Sequence, residues 1–409
     1  MSEKKIQIKH TTRTVKDLKL NAILEITKAI NNSLPTSQLL DLYEDILENR
    51  LKVGKLVLFS FDKEWTCILK YGISDKFNHI QFESELLNIK EIETMSFSHG
   101  NLSKSFEIVI PVYHKQTPLA YVLLGDVNEQ KIELSAAIKH LPYIQTLTNI
   151  IVVAIENKKL YRQAIQKAQM SKELELAQTM QQMLFPRDLP NTEELKVAAK
   201  YIPHQQVSGD YYDFIRLNNH EFVFCVADVS GKGIAAAFLM SNIQATLHSL
   251  INYTHNLKDI ILELNKRVWE NAKGEKFVSI FLGKINTKSR QLTFINAGHN
   301  PPILIVDEIA TQLTRGCTLL GISENMPPVD LGILDLQNEF TLFCYTDGLT
   351  DTLNSGGDYL SERTIIDIIS KNNSSQAKFI NDAVMYYAEE FKGENLFEDD
   401  IALLTIKCS

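Results

Sequence analysis

Residues 221–233 read GluPheValPheCysValAlaAspValSerGlyLysGly. An apolar run of strand length ends there in a carboxylate, Asp228, and passes into a glycine-rich turn. Residues 339–347, GluPheThrLeuPheCysTyrThrAsp, repeat the pattern and end in Asp347. Gly209-Asp210 and the pair Asp399-Asp400 complete four acidic clusters in the second half of the chain. Any one Asp-Gly or Gly-Asp pair is an ordinary turn former. A carboxylate at the end of a buried strand differs, because a rigid scaffold holds it. Together the clusters read as one metal site, since Mg²⁺ and Mn²⁺ prefer carboxylate and water oxygens and a pair of them makes a hydroxide nucleophile at neutral pH. That chemistry suits phosphate-ester hydrolysis.

At 409 residues the chain exceeds one ordinary core, and two or three domains are expected. A hydrophobic content of 44% with 22% charged residues is normal for a globular protein. The formal net charge of -8 argues against a nucleic-acid partner, because phosphate backbones need a basic face. The five cysteines are scattered with no CysXXCys pair, which points to reduced core residues rather than zinc or thiol redox chemistry. Residues 1–13 are charged and lack the apolar core of a signal peptide, and the strongly apolar stretch 150–155 is too short for a membrane span. A cytoplasmic protein is expected.

Leu18–Ile30 and Leu39–Leu51 have helical apolar spacing, broken by a polar segment around Pro35. Lys55–Phe61 with Trp65–Tyr71, and Phe106–Tyr113 with Leu119–Asp126, read as two strand pairs. From Ile144 a helical pattern runs without Gly or Pro to Phe185, where Pro186 and Pro190 end it. Leu147, Ile151, Ala154, Tyr161, Ile165 and Ala168 form a coiled-coil-like seam interrupted by Lys158 and Lys172. Beyond Ser171 two stripes appear, Leu174, Ala177, Leu184 and Leu176, Met180, Met183, a face broad enough to pack on a partner helix and a neighbouring domain at once. The division expected is 1–143 for an N-terminal domain, 144–186 for a helical linker and 187–409 for a catalytic domain.

Residues 107–126, GluIleValIleProValTyrHisLysGlnThrProLeuAlaTyrValLeuLeuGlyAsp, resemble the closing hairpin of GAF-type sensor domains, with no diagnostic ligand residue. A generic dimerisation module reads nearly as well. The second half is more specific. ValSerGlyAspTyrTyrAspPhe at 207–214, ValAlaAspValSerGlyLysGlyIleAlaAlaAla at 226–237, PheIleAsnAlaGlyHisAsnProPro at 294–302, TyrThrAspGlyLeuThrAsp at 345–351 and GluAspAspIleAlaLeuLeu at 398–404 occur in order. This series resembles the SpoIIE-like branch of the metal-dependent type 2C serine/threonine phosphatases. The fold class expected is α+β: the first half reads as a GAF-like α/β sensor domain and a coiled-coil linker, and the phosphatase resemblance implies a catalytic β-sandwich flanked by helices that holds two Mg²⁺ or Mn²⁺ ions. Asp210, Asp228, Asp347 and Asp399 match the family's metal-site carboxylates. Val229 stands where many relatives have a glycine that binds metal through its carbonyl. Asp400 is the alternative to Asp399, because neighbours on an extended segment face opposite ways; Asp399 is favoured.

The implied mechanism is attack of a metal-activated water on phosphorus, without an enzyme nucleophile. Ser208 and Ser230 have no His-Asp partner pattern and read as turn residues. SerGlyLysGly at 230–233 lacks P-loop spacing, and its glycines read as letting the backbone approach the metals. His299 reads as structural, and Asp213 and Asp351 as turn or supporting residues. Leu319, where relatives carry a proline, and ValSerGlyAsp in place of a double glycine depart from the family pattern without removing a carboxylate. The resemblance implies a phosphorylated regulatory protein as substrate, an anti-sigma-factor antagonist of the STAS type, and residues 173–186 resemble the family's regulatory linker. A homodimer through the linker is expected from the seam. The competing readings are a non-catalytic phosphoprotein-binding scaffold and a small-molecule sensor.

Overall fold

The computed structural model describes residues 2–73, 86–95, 105–125, 136–204 and 206–408, with side chains from residue 16 onward. The chain divides into two compact units, Met1–Ala168 and Gln169–Ser409.

In the first unit, helices Ser2–Asn31 and Thr36–Asp45 are followed by a π-turn, Ile46–Arg50, and an antiparallel sheet. Its strands are β1 (Lys55–Asp62), β2 (Glu64–Tyr71), β3 (Glu93–Thr94), β4 (Ile108–His114) and β5 (Thr117–Gly125), in the order β2-β1-β5-β4-β3. Both expected strand pairs form; Asp126, the last residue of the second, lies outside the described residues. Alternation along β1 sends Leu56 and Leu58 to the helical side, with Ile26, Tyr43 and Leu47, and Val57 and Phe59 to the opposite face.

A third helix, Ala136–Gln182, begins eight residues before the expected start and runs through Pro142. Ala137 is fully buried in the same core, so tertiary packing extends the helix past a residue that local propensity disfavours. Leu147 and Ile151, the first seam positions, are also core residues of this unit. Lys158, the polar break in the seam, donates to the Leu34 carbonyl at 2.6 Å and the Ser33 carbonyl at 3.2 Å, capping the end of the first helix.

The second unit is a four-layer sandwich. One sheet joins β7 (Tyr211–Arg216), β8 (Glu221–Val229), β9 (Val278–Asn286), β10 (Gln291–Ala297) and β13 (Gly316–Cys317), with β14 (Gly332–Asp335) also paired to β10. The other has the order β12-β11-β15-β16-β6, formed by Ile309–Gln312, Ile303–Val306, Phe340–Tyr345, Ile401–Cys408 and Leu195–Ile202. Between the sheets lie Phe224, Phe281 and Phe294 from the first, and Leu342, Leu404 and Ile406 from the second. Helices Ile234–Ile251 and Leu257–Ala272 cover the first sheet's outer face, and Glu362–Lys371 and Ala377–Lys392 cover the second's. This is the helix-flanked β-sandwich expected of residues 187–409.

Two helices among the described residues, Ala136–Gln182 and Ile234–Ile251, are long and apolar enough to cross a membrane by length and composition only, a test that core helices also pass. Packing accounts for part of their apolarity, about a third of each apolar window being buried: Ile144 and Ile151 belong to the first unit's core, and Met240, Ile243 and Leu247 to the core beneath the first sheet.

Candidate metal centre

β7 and β8 come from one sheet, and β15 and β16 from the other. Their ends bring together Asp210, Asp228, Asp347, Asp399 and Asp400. Asp210 immediately precedes β7 and is 2% exposed. Its Oδ2 accepts from Thr346 Oγ1 at 2.6 Å, and its backbone N–H donates to Ser208 Oγ at 3.0 Å. Asp228 is the penultimate residue of β8, in register with Ser279 of β9. Asp347 opens the short helix Asp347–Thr350 directly after β15. Asp399 and Asp400 lead into β16. Asp399 Oδ1 accepts from the Asp400 N–H at 2.8 Å, and Asp400 Oδ1 accepts from the His204 N–H at 2.7 Å.

Two glycines permit this convergence. A Cβ on Gly209 would stand 2.8 Å from the Val229 carbonyl oxygen, and one on Gly348 2.0 Å from that of Asp400. Both approaches are closed to any side chain. The Val229 side chain is buried while its carbonyl meets the Gly209 backbone, beside Asp210.

Electrostatics show how crowded the carboxylates are. Burial, and then Asp347, push Asp228 up to about 7. Burial and the Asp228 charge hold Asp210 well above the usual carboxylate range. Asp347 is raised by burial, Asp351 and Asp399. Asp351 is raised by burial and then Asp399, so it borders the cluster. Among the described residues no three His, Cys, Asp or Glu side chains are drawn together tightly enough to hold an ion as they stand. The donor set is nevertheless all hard oxygen, and its mutual repulsion is what a divalent cation relieves. In chemistry the residues fit Mg²⁺ or Mn²⁺.

Other expected residues fall outside the cluster. Asp213 is buried on β7, where it accepts from the Tyr211 hydroxyl and lies 2.6 Å from His248 Nε2 on helix Ile234–Ile251, tying that helix to the sheet. Ser208 Oγ accepts from Asp210 N and Ser230 Oγ from Phe277 N at 2.9 Å, so both serve the backbone. His299 is buried, 2.8 Å from Ser279 Oγ through Nδ1, and burial pushes it down to about 4. A neutral imidazole so held is part of the loop, which Asn296 braces by donating to the His299 and Leu313 carbonyls.

Three residues that sequence reasoning missed support the cluster. Thr346 Oγ1 donates to Asp210 and accepts from Ala402 N at 2.8 Å, joining β7, β15 and β16 at one atom. Gln181 donates to the Ser208 carbonyl at 2.7 Å and accepts from the Ser208 N–H at 3.1 Å, two residues before Asp210. Lys232 Nζ lies 2.8 Å from Asp399 Oδ2. Thr346 and Lys232 sit inside the quoted motifs, a signal of position. Gln181 lies within residues 173–186, read above as resembling a regulatory linker, but nothing in that segment marks it out from the neighbouring Gln182.

Comparison with known proteins gives a consistent result. Residues 218–409 match the family model described as stage II sporulation protein E. The phosphoserine phosphatase RsbU of Bacillus subtilis is 30% identical over 210 residues, which are 50% of this chain and 61% of that protein. The phosphoserine phosphatase RsbP of the same organism is 23% identical over 191 residues, 45% of this chain and 47% of that protein. Protein IcfG of Synechocystis is 24% identical over 277 residues, 61% of this chain and 43% of that protein. The chain thus spans from under half to about three fifths of the curated relatives it matches. Among solved structures, the SiaA-PP2C domain of Pseudomonas aeruginosa superposes with a TM-score of 0.54 at 20% identity, covering 60% of this chain and all of that one. The second unit therefore has the type 2C phosphatase fold.

Proposed function

We propose, from the SpoIIE-family domain that residues 218–409 carry, that this chain is a metal-dependent protein serine/threonine phosphatase of bacterial signalling. The observation that carries the reading is the convergence of Asp210, Asp228, Asp347 and Asp399 from two sheets, with their charges raising one another's pKa values. Asp210, Asp228, Asp347, Asp399 and the Val229 carbonyl would hold two Mg²⁺ or Mn²⁺ ions, with Asp400 directed to the His204 backbone. Bound there, the ions would supply charge stabilisation for phosphoryl oxygens and acidify water. The chain's own residues set the geometry. Thr346 fixes one Asp210 oxygen, and Gly209 and Gly348 admit the backbone.

The substrate we infer is a phosphoserine or phosphothreonine on a small cytoplasmic regulatory protein of the anti-sigma-factor-antagonist (STAS) type. RsbU and RsbP, both named phosphoserine phosphatases, support the phosphoserine part. The first unit, with its antiparallel sheet and terminal helices, we read as a GAF-like sensor. Leu176, Met180 and Met183, exposed at 60, 69 and 59%, support a homodimer through the linker helix.

The test is hydrolysis of p-nitrophenyl phosphate with added Mn²⁺. Wild type should be active only with metal, and Asp228→Asn and Asp347→Asn should each lower the rate at least about a hundredfold, the scale of a lost charge-stabilising group. Activity that persists in both variants would refute the reading.

A further inference from the structure

Lys232 stands in the turn between β8 and helix Ile234–Ile251, flanked by Gly231 and Gly233 at φ 86° and 79°. Those angles belong to a region glycine enters freely and other residues do not. Its ammonium reaches across 166 residues of chain, donating to the Glu398 carbonyl at 2.6 Å and pairing with Asp399 Oδ2 at 2.8 Å. The other Asp399 oxygen accepts from Asp400 N. Both oxygens of this carboxylate are therefore engaged, one by a backbone dipole and one by a full positive charge. Burial alone would lower the lysine's pKa, but the hydrogen bond and charge of Asp399, with Asp400 and Asp347 behind it, hold it above its ordinary value. On the other side of the turn, Lys276 donates to a carbonyl instead, that of Ser230, at 2.9 Å.

We propose that Lys232 is a built-in rival of the divalent cation at Asp399. An ammonium and a metal ion compete for the same oxygen, so loading this arm of the site requires the lysine to withdraw. The two glycines and a side chain 40% exposed give it somewhere to go. Lys232 thereby sets how much metal the protein needs, acting on affinity rather than on the reaction. The inference rests on the proposed metal-site reading, in which Asp399 is a ligand.

The experiment is calorimetric titration of Mn²⁺ into the full chain, comparing wild type with Lys232→Met, Lys276→Met and Asp228→Asn. A partly exposed ion pair is worth a two- to fivefold change, so Lys232→Met should bind Mn²⁺ about two- to fivefold more tightly while Lys276→Met stays near wild type. Unchanged or weaker binding by Lys232→Met overturns the proposal, as does equal tightening by Lys276→Met, which would mark a general field effect. If Asp228→Asn weakens binding but Lys232→Met does not tighten it, the metal site stands and the rivalry falls. If Asp228→Asn titrates like wild type, the site reading fails and takes the proposal with it. Should Lys232→Met not fold, acetylation of wild type by acetic anhydride supplies the test. Modification of Lys232, relative to Lys276, should rise on Mn²⁺ addition, and no rise overturns the idea.

Discussion

Asp228 bears a cost that its sequence position does not reveal. Burial and the neighbouring carboxylates raise its pKa to about 7. Between roughly pH 4 and 7 the folded chain keeps a proton that the unfolded chain has released, so without metal the folded state loses stability as pH rises through that window. In EDTA, Asp228→Asn should therefore raise the melting temperature at pH 7.5, by several degrees for about 1–2 kcal/mol, and leave it unchanged at pH 4. A scan of thermal unfolding against pH for both proteins measures this. At this scale part was legible: Asp228 and Asp347 each end an apolar run beside a turn, whereas Asp210 and Asp399 precede their apolar runs and are singled out by the resemblance to the phosphatase motifs. Thr346 as a hub was not. Its partners, Asp210 and Ala402, lie 136 and 56 residues away, and a threonine before an aspartate announces neither.

Among the elements, hairpins were the most readable, since alternation and turn chemistry are local: β1 with β2 and β4 with β5 pair as expected. The start of helix Ala136–Gln182 was not, because Ala137 in the core outweighs Pro142. The far end of that helix acts on the site through one side chain. Gln181 is 7% exposed and holds both backbone groups of Ser208, next to Gly209-Asp210. Gln181→Ala leaves a buried N–H and a buried C=O without partners, and should cost about 1–3 kcal/mol in urea unfolding of the second unit. It should also weaken Mn²⁺ binding. A stable variant with wild-type affinity would separate the helix end from the site.

For the whole molecule, the two stripes beyond Ser171 diverge. Leu184 packs onto the core of the second unit, while Leu176, Met180 and Met183 stay exposed. Leu176 and Met180 on the helix and Met183 just past its end form an exposed apolar stripe, which seeks cover. Under the proposed dimer, Met180→Glu should shift sedimentation from dimer toward monomer at micromolar concentration, whereas a single monomeric species in wild type would count against the dimer.

The position of β6 has a consequence for how the protein is made. Among the described strands β6 pairs with β16, through partners such as Ile202 with Ile401, and Asp399-Asp400 arrive just ahead of that strand. About 200 residues must leave the ribosome between the two partners. At about 5–20 residues per second, β6 waits some 10–40 seconds with its edge unsatisfied. For most of that interval the nascent chain carries Asp210 and Asp228 but cannot complete their carboxylate ring. The enzyme proposed here is thus silent during its own synthesis, and a chaperone that shields bare strand edges would find its client at β6.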